Sequence, residues 1–195
     1  MDVSHQYEDL IQIFNQLFQD SEKTILVRGD DEPVYLPASM TGNYHQIIFA
    51  HGYYASAMHE IAHWCVAGEK RRLLEDYGYW YEPDGRTEQQ QRLFETVEVV
   101  PQAIETCLCL AAGFKFRVSV DNLNGSPGDS SGFARNVALK AEEYLAQGLP
   151  DRAQLLFDTL VDYYKTGVFT AKSVVNEVAP SQTITCEGLS EEVVA

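Results

Sequence analysis

The sequence predicts an α+β fold, a helix-dominated single domain with a small β-sheet and an H-E-x-x-H segment on a central helix. Three observations carry this. Apolar residues recur every three or four positions in several stretches, two short β-branched runs close on glycine, and His59-Glu60-Ile61-Ala62-His63 sits in a stretch free of Gly and Pro. At 195 residues, with 45% hydrophobic and 22% charged residues, the chain has the composition of one globular domain with its own core. That domain is assigned to residues 1–178, and the acidic, aperiodic stretch 179–195 reads as a disordered tail.

Tyr7, Leu10, Ile11, Phe14, Leu17 and Phe18 make an amphipathic first helix over 6–18, with Glu8, Asp9, Gln12, Asn15 and Gln16 opposite. TILVRG (24–29) and QIIFAHG (46–52) read as buried strands, and DDEPVYLPA between them, with Pro33 and Pro37, as an extended loop. A helix follows over 56–67, stopped by Gly68. EKRRLLEDYGYWYEPDGRTEQ combines a short charged helical piece with an aromatic stretch (Tyr77, Tyr79, Trp80, Tyr81) and a PDG turn. Thr87 with Gln90 forms a capping box for a helix to about 95. Pro101 then opens a separate, nearly all-apolar helix that Gly113 ends. Beyond the loop DNLNGSPGDSSG, helices at 133–147 and 151–165 are joined so tightly that they are expected to pack antiparallel. That loop lacks the spacing of a calcium site and reads as plain surface.

The formal charge of −15, from 14 Lys+Arg against 29 Asp+Glu, excludes general nucleic-acid binding and attraction to anionic lipid, and favours cationic ligands. No apolar run is long enough to cross a bilayer, and MDVSHQYEDL lacks a basic segment followed by an apolar one, so a cytoplasmic protein is expected. Cys65, Cys107, Cys109 and Cys186 do not make a disulfide framework and read as buried free thiols, with Cys107 and Cys109 on different sides of their helix.

Two imidazoles four residues apart on a helix project from one face and can share a metal ion. Neutral imidazole suits zinc or iron(II), and since His63 is the last histidine a third ligand must be a carboxylate. Glu95, Glu98 and Glu105 are the candidates. Glu98 is preferred, because a carboxylate among valines needs a cation; Glu105 on its apolar helix is the runner-up, and Glu95 suits the solvated face. Glu60 is the general base if the site is a zinc hydrolase, and a supporting residue if it activates oxygen. The plainer alternative is a pair of core histidines with Glu60 exposed. His45 and His51 read as structural, although His51 is near enough in sequence to line the site. The aromatic stretch suits packing or the wall of a pocket for a cationic side chain.

Taken together, LVRGDDEPVYLPA, QIIFAHGYYASAMHEIAHWCVAGEKRRLLEDYGYWYEPDGR, FETVEVVPQAIE and DNLNG resemble the elongation factor P hydroxylase family, from about Thr24 to Gly125. The resemblance implies an oxygen-using, non-haem metal enzyme that hydroxylates a lysine of translation elongation factor P after β-lysylation. It implies a ligand set of His59, His63 and a glutamate, here taken as Glu98, holding a divalent metal such as Fe(II), with zinc the alternative. Such a site would sit on a zincin-like scaffold rather than a double-stranded β-helix, since the chain has too few strands for the latter. A zinc peptidase and a non-catalytic binding module are the competing functions.

Overall fold

The computed structural model describes residues 4–76, 86–119 and 130–167. The expected tail from 179, Cys186, the aromatic stretch from Tyr77 to Tyr81 and most of the DNLNGSPGDSSG loop lie outside the described residues.

Helix α1 (Tyr7–Phe18) buries Leu10, Phe14 and Phe18 of the expected stripe together with Ile13, which that stripe does not include, while Tyr7, Ile11 and Leu17 are half-buried. Strand β1 (Thr24–Arg28) pairs in parallel with β3 (His45–Phe49), Leu26 opposite Ile47. The segment expected as an extended loop contributes a third strand, β2 (Val34–Leu36), antiparallel to β3, and the sheet order is β1-β3-β2. Three residues between prolines are too few for an alternation to be legible, but as an edge strand they lose no ladder bonds to Pro33 or Pro37. A single turn of helix, α2 (Ala38–Thr41), follows. Gly29 closes β1 because the sheet leaves no room for a side chain: a Cβ there would stand 2.6 Å from the Ile48 Cγ2 methyl.

Helix α3 (Tyr54–Val66) carries the H-E-x-x-H segment and packs on β3. It starts two residues before the expected position, and it ends with Ala67 in extended conformation rather than through a left-handed glycine at Gly68. Arg152, from the far end of the chain, satisfies its last turn. The guanidinium Nη2, sharing its two hydrogens, reaches the carbonyls of Trp64 at 3.0 Å, Cys65 at 3.0 Å and Ala67 at 2.7 Å, and its carbon lies 4.5 Å from the Trp64 ring centre. Positive charge there also complements the helix dipole. Trp64 in turn packs against Phe14 and Phe18, with ring centres 5.1 and 4.9 Å away, locking α3 to α1.

A 3₁₀ turn at Arg71–Leu73 and an isolated bridge between Tyr35 and Asp76 bring the chain back along β2. The two helices expected on either side of Pro101 are one, α4 (Glu88–Ala112), 25 residues long with Pro101 inside. Its Thr87–Gln90 capping box and left-handed Gly113 (φ 66°) stand where the sequence puts them. An internal proline costs about 3 kcal/mol, and burial offsets it: Phe94, Glu98, Pro101, Gln102 and Glu105 form one unbroken buried stripe through the proline. Helix α5 (Ser130–Gln147) begins earlier than expected, and α6 (Asp151–Tyr164) follows after a short turn. Both pack chiefly on α4 rather than on each other, because the apolar surface of α4 runs all round. Cys107 faces α5, its thiol 3.7 Å from the Ala141 carbonyl, whereas Cys109 belongs to the main core; Cys65, Cys107 and Cys109 are free and buried. The result is a helix-dominated α+β architecture with α3 held between the sheet and α4. Among the described residues no helix is long and apolar enough to cross a membrane.

Candidate metal centre

Packing α3 against α4 sets the pair His59 and His63 opposite the pair Glu98 and Glu105. On α3 the helical period turns Ala57, Met58, Ile61, Ala62 and Cys65 into the core and leaves both histidines half-buried at its edge. On α4, residues 98 and 105 are two turns apart and share a face. His59, His63 and Glu98 each offer one ligand atom, and these atoms lie within 4.8 Å of one another. The His63 Nε2 is 3.0 Å from the His59 Nε2 and 3.4 Å from a Glu98 oxygen, and the His59 Nε2 is 4.0 Å from the other.

Glu105 approaches from the opposite edge of the His59 ring, 2.8 Å from Nδ1. A carboxylate only accepts, so Nδ1 carries a hydrogen, and in the neutral ring Nε2 is then the nitrogen whose lone pair faces the cluster. Glu105 is therefore an orienting partner of His59 and stands outside the cluster of three, the arrangement in which a carboxylate fixes the tautomer of a ligating histidine. Glu95 is half-buried and accepts from Gln91 Nε2 at 3.2 Å, away from the cluster. Gln102 was not anticipated from the sequence. It is fully buried and donates to Glu98 at 3.3 Å, and its position four residues on from Glu98 on the same stripe is the signal that could have found it.

The electrostatics suit a cation. Burial pulls the His59 pKa down, but the charge and hydrogen bond of Glu105, with Glu60 and Glu98 adding to them, raise it to about 10. Burial pushes Glu98 up, yet its bond and charge interaction with His63, then His59 and Gln102, hold it below the usual carboxylate range. Burial raises Glu60 against the pull of the two histidines. The two Nε2 atoms face each other at 3.0 Å beside Glu98, with Glu60 and Glu105 close by, and a divalent ion bound there would take both nitrogen lone pairs and offset the carboxylate charge. Two nitrogens bound at right angles about 2.1 Å from one ion would stand about 3.0 Å apart, which the histidine spacing of 3.0 Å fits.

Glu60 lines a cleft beside the cluster together with His63, Trp64, Tyr35, Ile47 and Arg71. The arginines of that cleft are balanced: Arg71 is held by both Asp76 oxygens at 2.7 and 2.8 Å, and Arg72 by Glu22. The remaining histidines lie elsewhere. His45 Nδ1 accepts from the Ala38 N–H at 3.1 Å and stacks on Tyr35, and His51, exposed at φ 54°, packs beside Tyr53. His51, carried outward by the turn into α3, is neither in the cluster nor among the residues lining the cleft, contrary to the expectation that it is near enough to line the site.

Fold and site thus define a helix-dominated α+β protein whose two-histidine, one-carboxylate cluster is suited to a divalent metal ion. Comparison with known proteins places the chain in a family. The family model for elongation factor P hydroxylase matches residues 13–174. The chain is 55% identical over 164 residues to the elongation factor P lysine hydroxylase of Haemophilus influenzae, covering 84% of this chain and 92% of that protein. The chain belongs to the elongation factor P hydroxylase family. The match extends beyond the 24–125 stretch legible by eye and takes in α5 and α6.

Proposed function

We propose that this protein hydroxylates the β-lysylated lysine side chain of translation elongation factor P, as a monooxygenase-type enzyme with a non-haem iron(II) centre held by His59, His63 and Glu98. The observation that carries the reading is the convergence of those three side chains from α3 and α4 in a chain of this family. When bound, iron(II) supplies the activation of dioxygen that breaking an unactivated C–H bond requires. One oxygen atom enters the C–H bond; the other leaves as water with two electrons from an external reductant.

The chain's own residues then have distinct tasks. His59 and His63 present Nε2, Glu98 presents a carboxylate oxygen, and Glu105 holds the His59 Nδ1–H so that the ring keeps that tautomer. Glu60, in the adjoining cleft and without a hydrogen bond or ion pair to another described residue, takes an ammonium group of the modified lysine. Trp64 and Tyr35 wall the same cleft and pack against the aliphatic part of the chain. The metal helix beside a small sheet supports a zincin-like scaffold carrying oxygenase chemistry.

Glu60 also favours a second reading, a zinc metallohydrolase in which it is the general base, since it occupies that position of H-E-x-x-H. The test is to incubate β-lysylated factor with the iron-loaded protein, dioxygen and reductant and to measure intact mass. The wild type should add one oxygen atom, and Glu98→Ala should add none and retain no metal. Cleavage of the substrate instead of oxygen gain would favour the hydrolase.

A further inference from the structure

Gln102 lies on α4 between Glu98 and Glu105, fully buried. Its Nε2 donates to the Ser119 carbonyl at 2.8 Å and to Glu98 Oε2 at 3.3 Å, and its Oε1 accepts from the Ser119 N–H at 3.1 Å. An amide nitrogen has two hydrogens, so both donated bonds form together while the oxygen takes the third. This orientation is forced. Turned over, the amide would aim oxygen at two acceptors and its N–H groups at another N–H.

Ser119 is seventeen residues along the chain, beyond the left-handed Gly113 that ends α4. Gln102 therefore pairs with both backbone groups of one residue, as a neighbouring strand would, and the hydrogen left over goes to Glu98. Above it, Thr106 Oγ1 donates to the Gln102 carbonyl at 2.7 Å. Glu98 has three rotatable side-chain bonds, and freezing such a chain costs on the order of 1–2 kcal/mol when a ligand does it. Here Oε2 is already tied, which leaves Oε1 facing the His63 Nε2 at 3.4 Å.

We infer that Gln102 is a positioning residue for the metal centre: by clamping to the backbone of Ser119 it holds the Glu98 carboxylate in the orientation that faces His63. The inference rests on the reading of His59, His63 and Glu98 as metal ligands. Supporting residues of this kind are worth 10–100-fold in metal affinity, roughly. By linkage, ordering Glu98 with a metal also tightens the backbone at Ser119.

The test uses the full chain and Zn(II) alone, titrated calorimetrically into wild type, Gln102→Met and Gln102→Glu, each first checked for native circular dichroism. Gln102→Met keeps the volume and loses all three bonds, and it should bind Zn(II) about 10–100-fold more weakly. Gln102→Glu sets a second carboxylate against Glu98 and should be at least as weak. Folded variants that bind within twofold of wild type would overturn the inference, leaving Gln102 as a brace for Ser119 only. A wild type that binds no Zn(II) would overturn the metal reading itself, and is told apart because the loss precedes any substitution. A measurement on the wild type covers variants that do not fold. Saturating Zn(II) should slow amide hydrogen exchange at Ser119 several-fold, and unchanged exchange would overturn the clamp.

Discussion

Replacing Glu105 with glutamine tests how the two glutamates of α4 divide their work. The Glu105 carboxylate meets the His59 Nδ1–H at 2.8 Å in a buried setting, on the ring edge opposite the cluster. Glutamine keeps an oxygen that accepts this hydrogen and loses only the charge, so the tautomer survives while the ring becomes a poorer donor. Outer partners of ligating histidines contribute about 10–100-fold, and the conservative change belongs at the low end: about tenfold, or ~1.4 kcal/mol. Glu105→Ala removes the acceptor and leaves a buried N–H unpaired, so it should approach about 100-fold, or ~2.8 kcal/mol. Glu98→Ala removes a proposed ligand and should weaken binding beyond both. The assay is Zn(II) calorimetry on metal-stripped protein with circular dichroism as the control for folding. If Glu105→Gln weakened binding as far as Glu98→Ala, Glu105 would be the ligand. If Glu105→Ala changed nothing, the orienting role would be wrong.

Three further outcomes follow from the structure. Arg152→Met keeps the stem against Trp64 but uncaps three carbonyls at the end of α3; one to two charged bonds' worth is about 3 kcal/mol, a melting point lower by about 6–12 °C, and a calorimetric drop under about 2 °C would contradict it. Glu60→Gln should leave Zn(II) affinity near wild type and raise KM for β-lysylated factor by roughly 10–100-fold if the carboxylate holds an ammonium; lost turnover at unchanged KM would instead mark it as a base. Burial pushes Cys65 and Cys107 up to about 12 from 9.0. Their contribution to stability is therefore complete below about pH 9 and lost as pH rises toward about 12, since the unfolded thiols ionise first. At pH 10 the loss is about 1.4 kcal/mol per thiol, and urea titrations at pH 7 and 10 should show a smaller fall in a Cys65→Ala/Cys107→Ala variant; an equal fall would refute it.

Local signals were legible and long-range ones were not. The amphipathic period of α1, the β-branched runs of β1 and β3, the Thr87 capping box and the Gly113 stop each depend on residues a few positions apart, and each appears as expected. Strand β2 escaped notice because its pairing partner supplies what three residues between prolines lack. The break expected at Pro101 was wrong because tertiary burial on three sides of α4 outweighs a missing N–H. In the site, the two histidines follow from helical spacing, and the unease of Glu98 among valines follows from desolvation. Separating Glu98 from Glu105 does not, because seven residues is two helical turns and both occupy one face. Only the placement of α3 across α4 decides which carboxylate meets Nε2 and which meets Nδ1. The clamp from Gln102 to Ser119 and the cap from Arg152 join segments 17 and 85–88 residues apart, beyond any local pattern.

The most direct test of the central claim is intact mass of β-lysylated elongation factor P after reaction with the iron-loaded protein and a reductant under isotopically heavy dioxygen in ordinary water. The account predicts one heavy oxygen atom gained on the modified lysine with wild type, and none with Glu98→Ala. No gain from a protein shown to carry its metal, or a gain of ordinary oxygen drawn from water, would contradict it.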